Sequence, residues 1–156
     1  MTIFGKSLSE YVSFARLFLI VIPLVGLLRL GLSLQGISPD TVRWFSMTAL
    51  GTIGIIYFAI RVHTTGFGSY KQLLVLIVLQ SIAANAVSCL GILLAMFTGV
   101  GNIFSAPEFS FPIGGPLGHL VAHALIATTI GSLPAWGIGS LILLITRKVS
   151  PSPQTA

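Results

Sequence analysis

From Leu117 to Thr146 the chain runs 30 residues without an Asp, Glu, Lys or Arg, and from Leu73 to Phe97 it runs 25. Runs of that length leave few options for folding, because a helix needs roughly 20 apolar residues to cross a bilayer core and every backbone polar group in lipid must be satisfied within its own segment. Charged residues make up 7% of the 156 residues, against about a quarter in soluble domains. The sequence therefore predicts an all-α integral membrane protein, a single domain of four transmembrane helices over about 11–34, 43–61, 73–97 and 117–146.

The first of these is the least regular. Arg16 and Arg29 leave only Leu17 to Leu28 free of charge, a length nearer that of a signal-peptide core. Arginine stems can snorkel to the two interfaces, however, and no small-x-small cleavage pattern follows, so the run is read as a span bent at Pro23. Orientation follows from the basic residues. Lys6, Arg16, Arg61, Lys71, Arg147 and Lys148 fall on one side and only Arg29 and Arg43 on the other. This places both termini in the cytoplasm and the 98–116 connection outside, where Phe104, Phe109 and Phe111 suggest a cap lying on the membrane surface. Trp44 and Tyr70 sit at span ends, where aromatic anchors are expected. The tails, Met1 to Glu10 and Val149 to Ala156, read as disordered.

A net charge of +5 does not signal nucleic acid, because the basic residues stand singly at the ends of apolar runs instead of forming a strip. Cys89 has no second cysteine to pair with and reads as a small packing residue. The partner expected first is the lipid bilayer, and in the absence of an organelle-targeting signal a bacterial inner membrane is the default location.

Between helices in lipid, small residues and hydrogen bonds do the work that the hydrophobic effect does in water. Every fourth residue of the last run is His119, His123, Ala127, Gly131, Ala135 and Gly139, expected to form one ridge on one helical face. In the third run Ser81, Asn85, Ser88 and Cys89 fall at i, i+4, i+7 and i+8, a polar stripe that must also look inward. The two faces are expected to meet. Gly131, Ala135 and Gly139 are in addition a candidate surface for homo- or hetero-oligomers.

The i, i+4 histidine pair is half of a transition-metal site, with Glu108 as a third ligand or as an orienting carboxylate. Asn102, Ser105 and Ser110 could complete the pocket, and Arg29 could compete for Glu108. A structural hydrogen-bonding role for the histidines is the plainer alternative. "HLVAH" lacks the glutamate of a zinc protease, no G-x-S-x-G occurs, and no lysine lies within a span. "RVHTTGFGSYKQ", 61–72, lacks phosphate-loop spacing and reads as a tight turn whose Arg61, His63 and Lys71 could hold an anionic head group. The expected function is binding of a divalent transition metal or small polar ligand in an outward-facing pocket of Asn85, Glu108, His119 and His123. The alternatives are an accessory or scaffolding subunit and a small transporter.

Overall fold

The computed structural model describes residues 2–106 and 114–150. The chain opens not as a loose tail but as a two-stranded hairpin, β1 (Thr2–Ile3) against β2 (Lys6–Ser7), with Thr2 opposite Ser7. Its turn uses left-handed backbone at Phe4 and Gly5, with φ of 48° and 83°, a conformation glycine adopts at no steric cost. Ser7 then caps helix α1 (Leu8–Leu34) in a reciprocal box: its hydroxyl accepts from the Glu10 amide while the Glu10 carboxylate accepts from the Ser7 amide. The Tyr11 hydroxyl donates to the Ile3 carbonyl at 3.0 Å, and Gln72 donates to Phe4. These bonds overturn the expectation of disorder for residues 2–10, which are tied to α1 through Tyr11 and to Gln72; Met1 lies outside the described residues.

α1 continues unbroken through Pro23. A short α2 (Pro39–Val42) leads to α3 (Met47–Thr64), α4 (Tyr70–Thr98) and a composite fourth helix. This last consists of α5 (Gly115–Val121), a π-helical segment Ala122–Ala127, a turn over residues 128–131, and α6 (Ser132–Val149). Taken together, the four long helices are each long and apolar enough to cross a membrane. Their outward faces are correspondingly greasy. Only 22% to 33% of the most apolar stretch of each is buried inside the protein. Leu17, Ile20, Leu24, Ile53, Ile56, Leu90, Leu133, Leu141 and Ile145 all stand exposed, far more apolar surface than a water-soluble monomer carries.

α1 and α6 each pack on α3 and α4, which also touch each other, while α5 and the π-helical segment lean chiefly on α4. The core is rich in aromatic rings at the end that holds residues 2–7 and Ser150. There Tyr11, Phe14, Phe18, Tyr57, Phe58 and Phe67 form a continuous set of ring contacts, with Val62, Leu73, Leu76 and Leu143 fully buried beneath. The turn after α3, with Gly66 at φ 64°, is the tight connection that its sequence suggested. Cations at this end are laid over aromatic faces: Lys6 over Phe67, Lys71 over Phe4, Arg61 over Tyr57 and Arg147 over Tyr70, at 4.7 to 6.0 Å. His63 Nε2 lies 3.0 Å from the Ser150 carbonyl, joining the ends of α3 and α6.

At the opposite end the connection after α4 does not lie on the surface as a cap, as far as it is described. Asn102 is buried and donates from Nδ2 to the Gly91 carbonyl at 2.7 Å, while its Oδ1 accepts from the Phe104 amide. This loop-to-helix lock drives Phe104 into the bundle, against the bare backbone of Gly91. Ser33 on α1 holds the same loop by accepting from the Ile103 amide. Phe109 and Phe111 lie outside the described residues.

Candidate functional site

The polar stripe of α4 and the histidine-bearing half of the fourth helix meet, as their spacing required. Antiparallel register pairs Ser81 with the Ala127 carbonyl (3.3 Å), Asn85 with His123 (2.8 Å) and Cys89 with the Leu120 carbonyl (3.9 Å). Further along the same seam, Trp136 donates to the Tyr70 carbonyl at 2.8 Å.

Chemistry fixes the donors in this chain. Asn85 Nδ2 approaches the Ser81 carbonyl at 3.0 Å and Ser81 Oγ at 3.1 Å. A carbonyl oxygen only accepts, so the nitrogen of the amide faces Ser81 and its oxygen faces His123. Asn85 Oδ1 likewise only accepts, so His123 Nδ1 carries the proton. The neutral imidazole then keeps a bare lone pair on Nε2, which has no hydrogen-bond partner among the described residues.

His123 lines a cavity of about 280 Å³ between α3 and the fourth helix, floored by α4. Gln80, Ser81, Asn85 and Ser88 come from α4, Thr48, Gly51 and Thr52 from α3, and Gly131, Ser132 and Ala135 from the start of α6. Thr48, Thr52 and Gly131 are exposed, so the cavity opens sideways between the helices. Gln80, which the sequence reading passed over, is 5% exposed and donates to the Gly51 carbonyl at 2.9 Å. Its Oε1 is buried without a partner, pressed against Gly54. A second amide beside Asn85 in an otherwise apolar run was the available signal.

The gap exists because the fourth helix is not one helix. Its expected ridge holds only in part. A π-helical segment pairs residues five apart, and Gly131 donates to Ile126, five residues back, at 2.9 Å. Thr128 Oγ1 donates to the His123 carbonyl, Thr129 Oγ1 to Leu125 and Ser132 Oγ to Thr128. These hydroxyls add hydrogen bonds to carbonyls where the regular ladder is interrupted, while the Leu125 carbonyl also keeps its i to i−4 bond from the Thr129 amide. The phase shift separates the ridge: Gly139 is buried against Ile55, Leu73 and Ile77, whereas Gly131 is exposed and Ala135 half-buried at the cavity. Of the three residues proposed for association with another chain, Gly139 is thus turned toward the bundle's own interior.

The two imidazoles are neighbours, with ring centroids 5.0 Å apart and planes at 45°, yet they face different spaces. His119 is 3% exposed, its Nε2 buried without a partner. It lines a second cavity of about 310 Å³ with Ile92, Ala95, Met96, Gly99, Gly101, Ser105, Gly115 and Pro116. Ser105 is at this cavity, but its hydroxyl is engaged with Asn102. Arg29 lies over the Phe104 ring at 5.6 Å. Glu108 and Ser110 lie outside the described residues, and among those described no three of His, Cys, Asp and Glu come together as a metal site. Comparisons with protein-family models, with curated proteins and with solved structures find no match to this chain.

Proposed function

We propose that this chain is an integral membrane protein that crosses the bilayer four times, both termini cytoplasmic, and binds a small polar ligand in the cavity beside His123. One observation carries the reading. Asn85 holds His123 in the tautomer that presents a lone pair, on a side chain lining a space large enough to hold a ligand. A purely structural histidine would be expected to spend both ring nitrogens on the protein. The membrane part of the reading is supported by the four long apolar helices and their exposed aliphatic faces. The orientation is supported by the placing of six of the eight basic residues at one end.

The test is to purify the chain in lipid nanodiscs and determine what travels with it, by elemental analysis for metals and mass spectrometry for organic molecules. Wild type should retain close to one ligand per chain, and His123→Ala should lose it. His119→Ala, which alters the neighbouring cavity, should have the smaller effect. A bound transition metal lost in both variants would instead favour the histidine pair as joint ligands, with Glu108 as a candidate third. Equal background levels in all three proteins would end the ligand-binding reading.

A further inference from the structure

The walls of the His123 cavity specify the kind of molecule that would complement them. Their donors are largely turned away from the cavity onto protein acceptors. The Thr52 hydroxyl donates to Thr48, Ser132 to Thr128, Ser81 to Ala127, the Gln80 amide to Gly51, and the Asn85 amide to the carbonyl and hydroxyl of Ser81. His123 gives its only proton to Asn85. What remains for a ligand is mostly lone pairs, His123 Nε2 first among them, with the Thr48 and Ser88 hydroxyls able to act either way. Among the described residues no Asp, Glu, Lys or Arg lines the space, and the rest of the wall is apolar, from Ile22, Met47, Ile55, Ile77 and Ala84.

An ionised ligand would lose its hydration there with no counter-charge to replace it. An uncharged acceptor such as an ether would leave His123 Nε2 unpaired. Access is sideways, past the exposed residues Thr48, Thr52 and Gly131, between helices whose outer faces carry exposed aliphatic side chains.

Building on the reading above, we infer that the cavity takes an uncharged, lipid-soluble hydroxyl compound, an alcohol or phenol, which enters from the bilayer and donates its hydroxyl proton to His123 Nε2. The hydroxyl meets the unpaired Nε2 of His123, and the hydrocarbon body lies along Ile55, Ile77 and Met47.

The experiment compares 4-butylphenol with 4-butylanisole, the same body without the donor, on ¹⁵N-histidine-labelled full-length chain in phosphatidylcholine nanodiscs, reading the His123 Nε2 resonance. 4-Butylphenol should shift that resonance saturably, and 4-butylanisole should need about ten-fold more, the factor expected for one hydrogen bond. Ala135→Phe, which projects a ring into the cavity from α6, should abolish the response. If that variant does not fold, Thr52→Phe at the exposed rim provides the same block. Equal responses to the phenol and the ether would overturn the donor requirement while leaving the cavity a ligand site. A His123 resonance unmoved by either probe would overturn this assignment altogether, and the co-purification measurement then decides the broader reading by itself.

Discussion

His123 donates from Nδ1 to Asn85 Oδ1 across 2.8 Å, joining the fourth helix to α4 at the midpoint of their polar contact. Removing the acceptor leaves a half-buried N–H without its partner, and an orphaned polar group of this kind costs about 1–3 kcal/mol. Asn85→Ala should therefore lower the thermal midpoint in nanodiscs by that equivalent. Equal midpoints for wild type and Asn85→Ala would show that the bond carries no stability.

The contact between Gln80 and Gly54 makes an opposite pair of predictions for two glycines. A methyl group at Gly54 would overlap Gln80 Oε1 and crowd Phe18, whereas one at Gly31 meets nothing within 4 Å. Gly54→Ala should destabilise by about 1–3 kcal/mol through overpacking. Gly31→Ala should be neutral or stabilising, by up to about 1 kcal/mol from helix propensity. Denaturation of the two variants side by side measures the difference.

Asn102 is the lock that holds the loop after α4 inside the bundle. Asn102→Ala should leave the Gly91 carbonyl and the Phe104 amide unpaired and release Phe104. Hydrogen exchange should then rise at the amides of 102–105, with that of α1 residues 11–22 unchanged. Protection at 102–105 equal to wild type would mean that Phe104 alone seats the loop.

Topology is testable with the single native cysteine removed as Cys89→Ser. New cysteines at Gln35 or Trp44 should react with a membrane-impermeant maleimide in intact cells, and cysteines at Ser9 or Lys148 only after permeabilisation. Labelling of Lys148→Cys from outside would reverse the proposed orientation.

These relationships differ in how far they could be read from the residues. Two of the four helices follow from long charge-free apolar runs and the other two from apolar runs flanked by arginines, and the meeting of Asn85 with His123 follows from two polar stripes that had nowhere to go but toward each other. The hairpin at residues 2–7 was hidden because a two-residue strand has no periodicity, although the Ser7 and Glu10 capping pair marks where the helix begins. The π-helical segment was hidden for a deeper reason. Apolar spacing assumes 3.6 residues per turn, and where the ladder widens every residue beyond it changes face, so Gly131 and Gly139 part company. Thr128, Thr129 and Ser132, bunched before Pro134, were the trace it left. Asn102 is one polar residue in a loop, and nothing local says that it will reach the Gly91 carbonyl.

The most direct test is the tautomer of His123, read from ¹⁵N shifts of its two ring nitrogens in ligand-free nanodiscs near neutral pH. A protonated Nδ1 and a bare Nε2 are expected, with the population moving toward the Nε2-protonated form in Asn85→Ala. An Nε2-protonated ring in the wild-type chain, indifferent to Asn85, would mean that the cavity is offered a donor instead of a lone pair, and would contradict the site as described.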